Sequence, residues 1–321
     1  MLKISVWLLF VSIFLVSPFI GVVDLDMAKI LHSGSLSQTI FFDLRLPRVL
    51  FAFSAGAILA LSGLLFQTLF RNPMMTPYTL GISSGAVLGA GIAIKLGLAT
   101  LFFGVASVSV FGFLGAFLTV VLLMYLSQFL HSAYNTSLLL LGIALSLFYT
   151  SALMIVFYLG SSIQNDMLIR FTMGSLSIIG WGNPILLAGV ALFLLGSSLI
   201  YRYELQLMSI SDESARLKGV NTKKTTMLLL LLASLAIGIL VSISGPIGFV
   251  GLIVPHMVYK LYPQSVEKRI SKTALFGGLF LVFCDTLTRA IQTQSELPIG
   301  IMTALIGGPF FIYLIVKGSE K

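Results

Sequence analysis

Charge is what this sequence has least of. Only 9% of its 321 residues are Asp, Glu, Lys or Arg, against 58% hydrophobic residues, whereas a soluble domain carries roughly 25% charged residues. Mean hydropathy is +1.06. A water-soluble fold could not cover so much apolar surface, so the chain reads as an all-α polytopic membrane protein. Cysteine is nearly missing too. The lone Cys284, in the apolar run GGLFLVFCDTL, excludes an internal disulfide framework and a cysteine metal site and is expected to be an inert buried thiol. No G-x-x-x-x-G-K-[ST] segment occurs, so any nucleotide energy must come from another chain. The three histidines, His32, His131 and His256, are scattered without metal-ligand spacing. No metal or cofactor is expected.

The spans hold few ionisable groups, and no series of carboxylates crosses the membrane. Proton-coupled and bare-cation transport are therefore disfavoured, as is a catalytic role. Asp285 and Arg289 lie four apart on one helix face. They are either a functional intramembrane pair or a self-satisfied pair near the outer end. Ser, Thr, Asn, Met and Gly make up the rest of the available lining. Such a lining could pass a bulky, already complexed solute while binding it weakly.

A spanning helix needs about 20 mostly apolar residues, which leaves room for about ten spans and no separate soluble domain. They are expected at 1–20, 47–70, 78–96, 103–129, 136–159, 184–201, 226–244, 250–261, 274–292 and 299–316. Segments 21–48 and 160–181 are mixed or amphipathic and expected outside. The second span carries small residues at Ser54, Gly56, Ala60 and Gly63, which let membrane helices approach closely. With the N-terminus inside, 13 of the 19 Lys and Arg residues fall on the inner side, placing both termini in the cytoplasm. The net charge of +8 then reflects basic cytoplasmic loops rather than nucleic acid. Residues 81–85 match G-x-S-x-G around Ser83. That motif needs a strand-to-helix turn and partner residues; here it opens a membrane helix, so a packing role is favoured over a hydrolase.

The longest polar stretch, RYELQLMSISDESARLKGVNTKKTT from Arg202 to Thr226, divides the membrane blocks. Ser211 can cap a short helix with Asp212 and Glu213 in its first turn. Gly219 offers a left-handed stop, followed by Asn221. A folded, charged knuckle between membrane blocks suits a transporter driven by a soluble motor. A solvated loop that only sets topology is the plainer reading.

Several motifs, in order, resemble FecCD-type permeases, the membrane subunits of ABC importers for iron chelates, haem and cobalamin. They are Arg45-Leu46-Pro47-Arg48, Gly56-Ala57 with Ser62-Gly63 and Gln67, Arg71-Asn72-Pro73, and Leu80-Gly81 with Gly85-Ala86. Asp212-Glu213 follows with Ala215-Arg216 and Gly219-Val220, then Gly245 to Leu252 with Val254-Pro255-His256, and Glu296-Leu297-Pro298-Ile299-Gly300 with Gly307. Lys218 departs from the family's usual Leu. The resemblance implies a type II ABC importer permease architecture of ten helices per subunit, dimerised, with the pathway at the dimer interface. It implies two cytoplasmic ATP-binding subunits, a periplasmic or lipoprotein substrate-binding protein, a second permease (identical or paralogous), surrounding lipid and no nucleic acid. Residues 212–221 would be the coupling helix, with Asp212, Glu213, Ala215, Arg216, Gly219 and Val220 contacting the ATPase. Arg45, Arg48 and Arg289 would sit on the outer face and receive acidic residues of the binding protein. Thr136 and Ser137 resemble the family's cytoplasmic gate. The expected function is import of a metal chelate, a ferric siderophore first, across the bacterial cytoplasmic (inner) membrane, with haem or cobalamin as alternatives. The rival of another class is a secondary transporter or channel needing no ATPase.

Overall fold

A computed structural model describes residues 11–21, 23, 25–30, 35–98, 101–102, 105–129, 134–291 and 296–318. Helix α1 (Leu36–Thr39) passes through a π-helical stretch (Ile40–Arg45) into α2 (Leu46–Leu69) without a break. Pro47 explains the π stretch: it has no N–H to donate to the carbonyl four residues back, and its ring crowds that carbonyl. That carbonyl, on Asp43, instead accepts the Gly180 N–H at 2.9 Å. The second span therefore starts well before the expected residue 47.

Helix α3 (Ile82–Lys95) is followed by a small antiparallel pair, β1 (Leu101–Phe102) and β2 (Val105–Ala106), then α4 (Ser107–Ser127) and α5 (Tyr134–Leu159). The amphipathic stretch forms α6 (Ser162–Met173), closed at its start by a reciprocal Ser161–Gln164 capping box. Then come α7 (Gly182–Ile200), the knuckle helices α8 (Arg202–Met208) and α9 (Asp212–Leu217), α10 (Thr222–Ser244), α11 (Val250–Leu261), α12 (Val266–Ala290) and α13 (Ile299–Gly318).

Among the described residues, six helices are long and apolar enough to cross a membrane: the run Leu36–Leu69, α4, α5, α7, α10 and α12. Three shorter apolar helices, α3, α11 and α13, complete the bundle. The expected first span lies mostly outside the described residues, although 11–16 are helical. Helix α3 is shorter than expected because 76–81 is a turn. Thr76 and Thr79 bond each other's main chain, and Gly81 stands at φ +79°. Helix α12 is longer because the basic 266–272 stretch continues its first turns.

Helix α2 is the axis. Its most apolar window is 89% buried, against 6% for α5, and it packs on α12, α7, α11 and α10. The contacts are main chain on main chain. A methyl at Gly56 would overlap the Gly277 carbonyl of α12, and one at Gly63 would overlap the Gly251 carbonyl of α11. Gln67 adds a bond to that Gly251 carbonyl at 3.1 Å. Helices α3 and α4 meet the same way, through Gly85, Gly89 and Gly115. Lipid gives helices no hydrophobic reason to associate, so close packing of small residues carries the contact.

Gly63→Val should push α2 off α11 and lower the melting temperature of the purified protein, with an overpacking cost of about 1–3 kcal/mol. Gly189→Ala, where an added methyl meets nothing within 4 Å, is the control and should melt like wild type. Equal melting of both variants would contradict the packing described.

Candidate functional site

The knuckle is folded, and its short helix forms as the sequence predicts. The Ser211 hydroxyl accepts the Ser214 N–H at 2.9 Å. At the other end Gly219 stands at φ +83°. Its N–H reaches the Arg216 carbonyl at 2.9 Å, and the Val220 N–H reaches Ala215 at 3.0 Å, a left-handed stop that only glycine adopts cheaply. Asn221 does more than follow: its side chain accepts the Lys224 N–H at 3.1 Å and starts α10.

Several ties among the described residues brace the knuckle to the membrane body. Arg71, in the turn after α2, pairs with Asp212 at 2.9 Å. Arg202 pairs with Glu267 of α12 at 3.3 Å. Gln206 accepts the Val266 N–H at 2.8 Å. Ala215 is buried, pointing α9 into the body, and Val220 is half-buried. Glu213, Arg216, Lys218 and Gly219 face outward, with Ile210 and Leu217 exposed beside them. The outward face thus mixes charge with apolar side chains. Arg71, Ile210 and Leu217 were not singled out from sequence as part of this site. Arg71's partner is 141 residues away, which no local pattern reveals.

At the opposite end of α2 the three arginines of the expected docking site are not free outward cations. Arg45, Arg48 and Arg289 are 7%, 9% and 5% exposed. Arg48 bonds Asp285 at 2.9 Å and both oxygens of Glu296 at 2.9 and 2.8 Å. Arg289 bonds the other Asp285 oxygen at 3.0 Å and also Ser17 and Ile20. Arg45 donates to the carbonyls of Pro18, Phe19 and Val23. A buried cation without partners is costly, so the chain supplies them internally, and these arginines, expected on the outer face to receive acidic residues of a binding protein, are largely enclosed within the subunit. Asp285 and Arg289 do pair, but within a larger cluster that includes Arg48, Ser17 and Ile20, rather than as the isolated self-satisfied pair of the sequence reading.

Glu296, with a side chain 48% exposed, is the cluster member nearest solvent. It also accepts the Ser177 hydroxyl from the segment after α6. Partial burial alone would raise its carboxyl. The charge on Arg48 and the bonds from Ser177 and Arg48 outweigh that and hold it below the usual carboxylate range.

Between the two ends, a recess of about 210 Å³ opens among α3, α5 and α6, beside Pro246. Tyr78, Ser83, Ser84, Tyr149, Thr150 and Thr172 give it a wall of hydroxyls. Among the described residues it is lined by no histidine and no carboxylate. His256 sits elsewhere, on α11, bonded to Leu252 at 2.9 Å. Among the described residues Ser83 therefore has no base of the kind a hydrolase needs beside it. Of the gate residues, Ser137 is half-buried in the first turn of α5, while the Thr136 side chain lies outside the described residues. Among the described residues no group of His, Cys, Asp and Glu could hold a metal.

A family profile described as the FecCD transport family matches residues 8–317. The chain belongs to the FecCD transport family. It is 36% identical over 282 residues to an uncharacterised ABC transporter permease protein of Bacillus subtilis, covering 87% of this chain and 79% of that one. It is 35% identical over 283 residues to the hemin transport system permease protein of Yersinia pestis, covering 88% and 84%. Its fold matches a solved chain described as a metal-chelate type ABC transporter in an inward-facing conformation, with TM-score 0.84, 29% identity and 98% of both chains covered. Other relatives, 32% to 38% identical, are named for Fe(3+)-citrate, molybdate and cobalamin import. This FecCD chain is accordingly a multi-pass membrane permease of an ABC importer.

In the permease, Asp285→Ala should strand two buried guanidinium groups and cost about 3–5 kcal/mol, read as a large fall in melting temperature. Glu296→Gln should cost less, because water reaches that side chain. The Glu296 carboxyl is lowered in the fold, so its tie to Arg48 contributes fully above its ordinary value of 4.5 and is lost as pH falls below it. A wild-type melting curve that loses stability over that acid range more steeply than Glu296→Gln would bear this out; identical curves would not.

Proposed function

We propose that this permease carries a metal chelate, a ferric siderophore first, into the cytoplasm across the bacterial cytoplasmic membrane. Two separate ATP-binding subunits drive it, a substrate-binding protein loads it from outside, and a second permease copy or paralogue completes the pathway. The observation that carries this reading is the braced knuckle. A loop that only set topology would need no helix cap, no left-handed stop and no ion pairs to α2 and α12. A rigid lever that delivers a push to the membrane helices needs all of them.

In this reading Glu213, Arg216, Lys218 and Leu217 meet the ATPase. Asp212 and Ala215 anchor α9 to the body so that it moves with the turn after α2. ATP binding closes the ATPase pair, the knuckles follow, and the helices tilt to change which side the cavity faces. Ser137, with Thr136, lies at the inner start of α5, where a gate would close. The permease side chains make no bonds in ATP chemistry. On the outer side, Glu296 and its surroundings offer the docking surface, while Arg45, Arg48 and Arg289 set its field from below. The hemin and cobalamin relatives support haem and cobalamin as alternative cargoes.

Arg71→Glu sets like charges against each other at Asp212, and Gly219→Pro removes both the N–H and the positive φ of the stop. Either variant, in liposomes with the ATPase, should insert normally and hydrolyse ATP while uptake falls about tenfold or more. Normal uptake in both would remove the lever. For cargo, uptake by the reconstituted importer should be highest for a ferric siderophore among ferrichrome, ferric citrate, hemin and cyanocobalamin. Full-rate uptake with no ATPase present would point to a secondary transporter instead.

A further inference from the structure

The recess by Ser83 contains hydrogen-bond donors that the fold leaves unspent. A hydroxyl has one hydrogen to give. Thr119 gives its own to the Gly115 carbonyl at 2.8 Å, and Tyr149 gives its own to Thr119 at 3.1 Å. Thr150 and Thr172 each donate to a carbonyl of their own helix at 2.8 Å. Apart from the half-buried Ser84, the enclosed hydroxyls that remain are those of Tyr78 and Ser83. Their hydroxyl oxygens are enclosed and lie against each other in a weak mutual contact that falls short of good hydrogen-bond geometry, and neither has another partner. Ser83 is 1% exposed. A buried polar atom ordinarily finds a partner, and one left over in a cavity wall calls for an occupant.

The chemistry of the wall selects that occupant. Among the described residues there is no acidic side chain to hold a bare cation and no basic one to hold a free anion. Neighbouring hydroxyls with a hydrogen to give suit an acceptor oxygen. At about 210 Å³ the recess is smaller than the roughly 300–1,000 Å³ of pockets that enclose a whole ligand, so it admits an arm of a larger solute. It opens beside Thr150, which is exposed on the sparsely covered α5.

We propose that Tyr78 and Ser83 form a subsite that takes an acceptor oxygen (a carbonyl, hydroxamate or carboxylate arm) of the chelate in transit. The proposal rests on the chelate reading given above. It is tested with the assembled importer in liposomes, using ferrichrome and ferric citrate as probes. Tyr78→Phe with Ser83→Ala removes both hydroxyls without changing shape. Chelate moved per ATP hydrolysed should fall about five- to tenfold, the scale of one or two neutral hydrogen bonds. The ATP hydrolysis rate itself should stay within twofold of wild type. Ser127→Ala, outside the recess and with its hydrogen already given to the Met124 carbonyl, should transport normally. If the double variant moves as much chelate per ATP as wild type, the recess holds only water and the proposal falls. A proportional loss of ATP hydrolysis would assign the hydroxyls a structural role and also overturn it. Failure of wild type to take up either probe would remove the chelate reading and the subsite with it.

Discussion

Close main-chain contact around α2 is the constraint on which the remaining structure depends. Helices in lipid gain nothing from burying apolar side chains against one another. They associate here because Gly56, Gly63, Gly251 and Gly277 let the backbones touch. Helix α2 is 24 residues long, about 36 Å at 1.5 Å per residue. Its first turn carries Arg48 of the ionic cluster, and the turn beyond its last residue carries Arg71 of the knuckle brace. One rod therefore joins the two ends of the molecule.

The two ends treat charge differently. At the knuckle, ion pairs are partly open to water, and each contributes little alone. Their value is geometric, because they fix a short helix that is too small to hold itself in place. At the far end the charges are enclosed. Asp285 satisfies two arginines at once, and Arg289 and Arg45 pin the 17–23 segment through its carbonyls. Enclosed charges of this kind specify an arrangement more than they stabilise it. Glu296 is the point where that arrangement reaches water, tying the start of α13 to α2 and, through Ser177, to the segment after α6.

The π-helical stretch before α2 shows how a single residue shapes its surroundings. Pro47 releases the Asp43 carbonyl, and Gly180 takes it. The segment between α6 and α7 is thereby stitched to the helix that bears Arg45 and Arg48. The recess by Ser83 obeys the same rule that a buried polar group must be answered, and there the answer is left to a solute.

Much of this was legible in the chain alone. Apolar runs placed the helices, since a span must be long and greasy to exist in a bilayer. Ser211 and Gly219 marked the ends of α9, since caps act within a turn of the residues they serve. Ordered motifs gave the family. What the sequence could not settle depends on distant partners. The resemblance places Arg45, Arg48 and Arg289 on the outer face, but their enclosure and internal partners are not visible in the sequence, because charge is and burial is not. The pairing of Arg71 with Asp212, and the unspent hydroxyls of Tyr78 and Ser83, exist only once helices far apart in the chain lie side by side. Local rules fix where helices begin and stop; which buried charges and donors find a partner is decided when the helices pack.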